Sequence, residues 1–180
     1  MKGMVFNLLE DFVVENFGQD VFEDIYSSTS LQTTDPFVGP ATYPDADFLS
    51  LVGTTCQKLN IPLDQAVRGF GKYCFPKLVA IEPSFVNNPQ SAKEFLKTVH
   101  DIIHVEVKKL HPDAELPSFE YRDTDPQKLE MIYSSPKNLC LFAEGLIEGC
   151  AEHYKEKITY HQSECSHKGD TQCVFKLEFS

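Results

Sequence analysis

The sequence predicts an α+β fold on two observations. Apolar residues recur at helical spacing up to about Leu110, and beyond it short segments alternate at period two on either side of one further helix. The expected layout is a single domain with a helical N-terminal subdomain, residues 1–62, and a C-terminal subdomain, residues 63–180, with helices and an antiparallel sheet.

Val5, Leu8, Leu9, Phe12, Val13 and Phe17 mark the first helix, and Gly18 ends it. Residues 21–26 form a second, short one. Residues 30–44, rich in Thr, Pro, Asp and Gly, have no period and predict a long loop. Asp45 caps a helix carrying Phe48, Leu49, Val52 and Leu59. Past Pro62, the residues Leu63, Val67, Phe70, Tyr73 and Cys74 mark another, which Pro76 is expected to kink or interrupt. A Pro/Asn-rich connection fills 82–90. Ser91 then opens a long helix to about Leu110 with the stripe Phe95, Leu96, Val99, Ile103, Val107 and Leu110, stopped by His111-Pro112. Residues 118–122 and 129–133 alternate as strands, with Leu129, Met131 and Tyr133 on one face. Ser135-Pro136 supplies an N-cap and a first helical position for a helix through Leu139, Phe142, Leu146, Ile147 and Cys150. Two last strands, 157–161 and 173–179, flank a Gly169-Asp170 turn.

Composition narrows the function classes. The 180 residues hold 16 Lys+Arg against 27 Asp+Glu, a net charge of −11. A chain so short of cations is a poor partner for nucleic acid or an anionic membrane surface. No apolar stretch approaches the roughly 20 residues of a transmembrane helix, and the N-terminus runs into an amphipathic pattern without a cleavage site. The expectation is a soluble, cytoplasmic protein. Six cysteines then point to metal ligation and core packing rather than to a disulfide framework.

Three constellations carry chemistry. His100 and His104 lie one turn apart on the long helix beside Ile103 and Val107, and an imidazole in an apolar cleft suits a non-covalent haem, there being no Cys-x-x-Cys-His. Core packing is the bland reading of the same pattern. Tyr133-Ser134-Ser135-Pro136-Lys137 gathers two hydroxyls and an ammonium where a strand meets a helix, a seat for carboxylate or phosphate, or a plain capping turn. Cys165 and Cys173 straddle the Gly169 turn with His161 leading in; if the helix end carrying Cys140 packs over that hairpin, the set is Cys3His for structural zinc, and three unrelated thiols with a surface His are the bland reading. His167 competes with His161 for that role. Cys56, Cys74 and Cys150 sit in apolar runs and read as core.

Taken in order, Met1-Lys2-Gly3, the His104 helix, Pro117, the Tyr-x-Ser turn and Leu146-Ile147-Glu148-Gly149 resemble the haem nitric oxide/oxygen-binding (H-NOX) domain, of the stand-alone bacterial type with a C-terminal zinc site, over essentially the whole chain. The resemblance implies a haem b between the two subdomains and no enzymatic activity. It assigns His104 as the iron ligand, Pro117 as the proline that presses on the porphyrin, and Tyr133 and Ser135 as propionate contacts. The motif's Arg is replaced by Lys137, which keeps the charge and loses the planar fork. Phe142 stands where oxygen-binding members place a Tyr, so an apolar distal pocket of Val5, Leu9, Phe142 and Leu78 is expected to exclude O2 while admitting nitric oxide and CO.

The resemblance further implies a nitric oxide sensor. Weakening of the iron–His104 bond changes the conformation, rotates the subdomains and regulates a partner histidine kinase or a cyclic-di-GMP enzyme, a diguanylate cyclase or phosphodiesterase. The alternative is a zinc-dependent redox-sensing interaction module that regulates a kinase, with or without haem.

Overall fold

The computed structural model describes residues 1–180, the side chain of residue 124 excepted. The chain folds as two compact units, Met1–Phe70 and Gly71–Ser180.

The first unit is helical, as the spacing predicts. It holds α1 (Gly3–Phe17), α2 (Gln19–Ser28), α3 (Asp45–Leu59) and the opening turns of α4 (Leu63–Ile81). Gly18 separates α1 from α2 at φ 99°, a conformation that suits a residue without Cβ. Asp45 is the first residue of α3 rather than its cap, and its carboxylate takes the Met1 ammonium at 2.5 Å. The expected loop before α3 is pinned by Asp47, only 1% exposed, which accepts from the amides of Gln32 and Thr33 and from the Thr33 hydroxyl. Burial alone would raise the Asp47 pKa; those three bonds hold it below the usual range. Phe6 anchors the core, stacked on Phe37 with edge contacts to Tyr43 and Phe48.

In the second unit α4 runs through Pro76 without interruption. A proline there leaves the Lys72 carbonyl without its i+4 donor. α8 (Cys140–Tyr154) packs closely at this point: a Cβ on Gly149 would meet the Lys72 oxygen at 3.0 Å and Phe75 Cβ at 2.5 Å. Gly71 is tighter still, its added Cβ falling 2.3 Å from the Phe142 carbonyl oxygen. Alanine at position 71 gains about 1 kcal/mol of helix propensity, but backbone cannot rotate aside, and overpacking costs about 1–3 kcal/mol or more. Gly71→Ala should therefore lower stability by about 2 kcal/mol, read as a fall in the urea midpoint at unchanged slope.

A short helix, α5 (Ser84–Asn87), occupies part of the Pro/Asn connection. The expected long helix is then three pieces: α6 (Ala92–Thr98), a five-residue π turn Val99–Ile103, and α7 (His104–Leu110). Ser91 caps α6 by accepting from the Glu94 amide, while Glu94 accepts from the Gln90 amide.

The sheet comprises β1 (Ser118–Asp125), β2 (Lys128–Ser134), β3 (Ile158–Glu164) and β4 (Cys173–Phe179) in the order β1-β2-β4-β3, every pairing antiparallel. The alternation expected for Leu129, Met131 and Tyr133 puts all three in the core beside Phe175 and Leu177, with Phe95 and Leu96 of α6 and Ala143 and Ile147 of α8. One boundary differs from expectation: α8 starts at Cys140, not at Pro136. Ser135-Pro136 serves a turn instead, because Asn138 takes φ 50° and its amide donates to the Ser135 carbonyl. Pro suits the second position of such a turn as well as it suits a first helical turn.

Candidate functional site

α7 begins with His104, and the ring sits where the helix faces β1. It lies 5.7 Å from the Phe119 ring and 6.4 Å from the His100 ring. His100 is tied down, its Nδ1 accepting from the Phe119 amide at 3.3 Å. The His104 ring has a backbone hydrogen bond at Pro117, but its Nδ1 is buried and has no hydrogen-bond partner among the described residues. Burial first and the neighbouring His100 charge second push its pKa down to about 4, with the Pro117 carbonyl acting against them. The imidazole is thus neutral at physiological pH and carries a buried nitrogen with nothing to bond. Leaving such a group unmade is costly, and a neutral imidazole nitrogen is what haem iron takes as an axial ligand. The residues present fit the group that the sequence suggests.

The Tyr133–Lys137 segment converges as expected, although on a turn and not on a helix end. Tyr133 is buried, its ring against Phe119 and Phe175. Burial raises the Tyr133 pKa, and hydrogen bonds from the Ser135 hydroxyl and the Leu139 amide pull the other way. Ser135 also accepts from the Lys137 amide at 3.2 Å. The Lys137 ammonium reaches Glu115 Oε2 at 3.1 Å. Nothing in the sequence pattern points to Glu115 as its partner. Of the residues expected on the distal side, Val5 and Leu9 belong to α1 of the first unit, and Leu78 and Phe142 to α4 and α8 of the second.

The cysteine cluster forms. The sulfurs of Cys140, Cys165 and Cys173, all buried, lie within 4.8 Å of one another, with Cys140 and Cys165 at 4.0 Å. A disulfide needs about 2.05 Å, whereas the edge of a zinc–thiolate tetrahedron with 2.3 Å bonds is about 3.8 Å. The cluster therefore has the dimensions of a metal site. Ser166 supports it, its amide and hydroxyl both 3.3 Å from the Cys173 sulfur, and Asp170 accepts from the Cys165 amide at 2.7 Å. Burial and then the neighbouring thiols raise the Cys140 pKa, with a Gln162 hydrogen bond opposing.

Among the described residues no histidine belongs to the cluster. Gln162, on the strand next to His161, turns its side chain to Cys140. Strand alternation sends His161 to the other face, where it is exposed and paired with Lys176. His167 is nearer in the chain path, on the 3-10 turn between Cys165 and Cys173, with Nε2 2.9 Å from the carbonyl of Asn138. As expected, Cys74 and Cys150 are buried, and burial raises both thiols.

The haem-NO-binding family model matches residues 2–162. The H-NOX protein from S. oneidensis in the Fe(II)NO ligation state is 31% identical, with TM-score 0.93, over 100% of this chain and 99% of that one. Unliganded Fe(II) H-NOX from K. algicida is 25% identical, with TM-score 0.92, over 100% and 97%. The IWP-051-bound H-NOX from Shewanella woodyi in the Fe(II)CO state is 31% identical, with TM-score 0.86, over 99% and 94%. A buried imidazole nitrogen without a partner among the described residues suits a family that binds haem, and the match along nearly the whole length shows which one: the chain belongs to the haem-NO-binding (H-NOX) family.

Proposed function

We propose that this sensor domain, which is not an enzyme, binds haem b through His104, responds to nitric oxide and not to O2, and passes the signal to a partner protein by changing shape. His104 carries the reading: a buried Nδ1 without a partner among the described residues, on a ring kept neutral by its surroundings. Haem iron, when bound, supplies the gas-binding position. The chain's residues do the rest. Tyr133 and Ser135 offer hydroxyls and Lys137 a cation to the propionates, and Pro117 lies against the ring of His104. Phe142 offers no hydrogen for bound O2, which supports nitric oxide and CO as ligands over O2.

The test is the visible spectrum of the purified ferrous protein. A Soret band that shifts with nitric oxide and stays put in air is the expected result; a colourless protein, or one forming a stable O2 complex, overturns the reading. A histidine kinase or a cyclic-di-GMP enzyme remains the proposed partner, from the resemblance alone.

Lys137 sets a second expectation. Restoring the planar fork with Lys137→Arg should tighten haem binding about tenfold, one bidentate charge-assisted bond's worth, measured by haem transfer to a competing apoprotein.

The three-sulfur cluster favours a second input. We infer that Cys140, Cys165 and Cys173 hold zinc, with a histidine completing the set. Strand alternation supports His167 over His161. A peroxide, reduced to water as it takes two electrons from two of these thiolates, would join them as a disulfide, release the metal and loosen the turn that carries Cys165 and Cys173. This redox route would reach a partner kinase with or without haem.

A further inference from the structure

The π turn sits immediately before His104, and its closing bond runs from the His104 amide to the Val99 carbonyl, five residues back. Such turns hold one residue more than an α-helix needs over the same path. The extra residue decides where His104 points. At about 100° per residue, an unbroken α-helix from Ala92 would carry Leu96, Ile103 and Leu110 on one face, with Val99 and Val107 flanking it and His104 about 100° away. Up to Ile103 the observed helix agrees, with Leu96 buried and Val99 and Ile103 packed against the core. Beyond the π turn it departs: His104 faces Phe119, and Leu110 is 74% exposed. From His104 onward the apolar stripe of the sequence is thus written for one phase of the helix, and the structure holds the other.

We propose that the π turn is a register device giving α7 two phases: one presents His104 inward, and one, without the π turn, presents Val107 and Leu110 inward. The proposal rests on His104 as the iron ligand. With His104 tethered, the π phase is held. Once the tether is released, the stored residue passes out of the turn, α7 rotates by about 100°, Leu110 gains cover and His104 turns away. The output surface is the outer face of α7, where Ile102 and Val105 are also exposed, 52% and 45%.

Deletion of Ile102 separates the device from the ligand. It removes the stored residue, so a plain α-helix then holds His104 in its present phase with no second phase available. The probe is Leu110→Cys in the full-length haem protein, labelled with iodoacetamide without oxygen and located by mass spectrometry. Labelling should slow about tenfold on adding nitric oxide, as a thiol gains cover. It should be slow from the start in His104→Ala, which has no tether. In the Ile102 deletion it should stay fast with and without nitric oxide, with the unliganded ferrous spectrum unchanged; deletion of Asp101 is the substitute where that chain does not fold. Equal rates with and without the tether, or a deletion variant that still responds or loses His104 ligation, overturn the proposal. A protein with no Soret band fails the haem reading instead, while a normal nitric oxide shift with unchanged labelling fails the register device alone.

Discussion

Replacing His104 with glycine is expected to remove axial ligation completely while leaving the protein folded. The side chain spends no hydrogen bond from Nδ1 on the fold, since that atom has no partner among the described residues, so its loss costs packing against Phe119 and the hydrogen bond at Pro117. Haem held only by its propionates should bind at least tenfold more weakly, and added imidazole should restore the five-coordinate ferrous spectrum by filling the vacated space. The acid limit of ligation has its origin in the same surroundings. The ring's pKa falls from 6.5 to about 4, so it binds its proton less readily in the folded protein than in the unfolded chain. Stability attached to the neutral ring is complete above 6.5 and is lost as pH falls through that window toward 4. Protonation of His104 should therefore compete with iron only near the lower value, checked by acid titration of the ferrous spectrum. Release near pH 6.5 would show that the ring is not buried in solution.

Removing the metal proposed for the cysteine cluster should have the next largest effect. Zinc at a closed thiolate site contributes folding energy outright, about 10 kcal/mol or more in small domains. Here a built core shares the load, and a loss of about 3–5 kcal/mol is expected. Chelation, or Cys173→Ser, should lower the melting temperature by about 10 °C or more for a domain of this size, with one zinc lost per chain by elemental analysis. Because the Cys140 thiol is raised by burial, its proton must leave when metal binds. Zinc affinity should therefore fall as pH drops. A chain that purifies without zinc and melts identically with chelator would sink the proposal.

Much of this architecture is legible in the residues, and the gaps have identifiable causes. Period-two runs place Leu129, Met131, Tyr133 and β4 correctly because one face of each strand is buried. Cys140, Cys165 and Cys173 meet because the Gly169 turn and the first turn of α8 bring them together. The start of α8 differs from the sequence expectation because Ser-Pro opens a turn and a helix with equal ease, and only the positive φ of Asn138 decides between them. Pro76 predicts a break in α4, yet the helix runs on through it, with α8 packed closely there at Gly149, a contact far along the chain. The π turn leaves no trace in the hydrophobic pattern, which favours the straight helix. The β-branched run around His104 is its one local hint.

The pair between Lys137 and Glu115 has a kinetic consequence. The Lys137 side chain is 15% exposed and that of Glu115 68%, so the cation stands on a largely covered arm while its anion stands in solvent. Such a pair behaves as an ion-exchange site preloaded with a weakly held counter-ion. With haem held as proposed, a propionate would displace Glu115 into water at little desolvation cost, and no bare cation would be buried. Loading is then a swap of anions, nearly neutral in net charge, and its rate should respond to salt far less than the overall charge of −11 would lead one to expect.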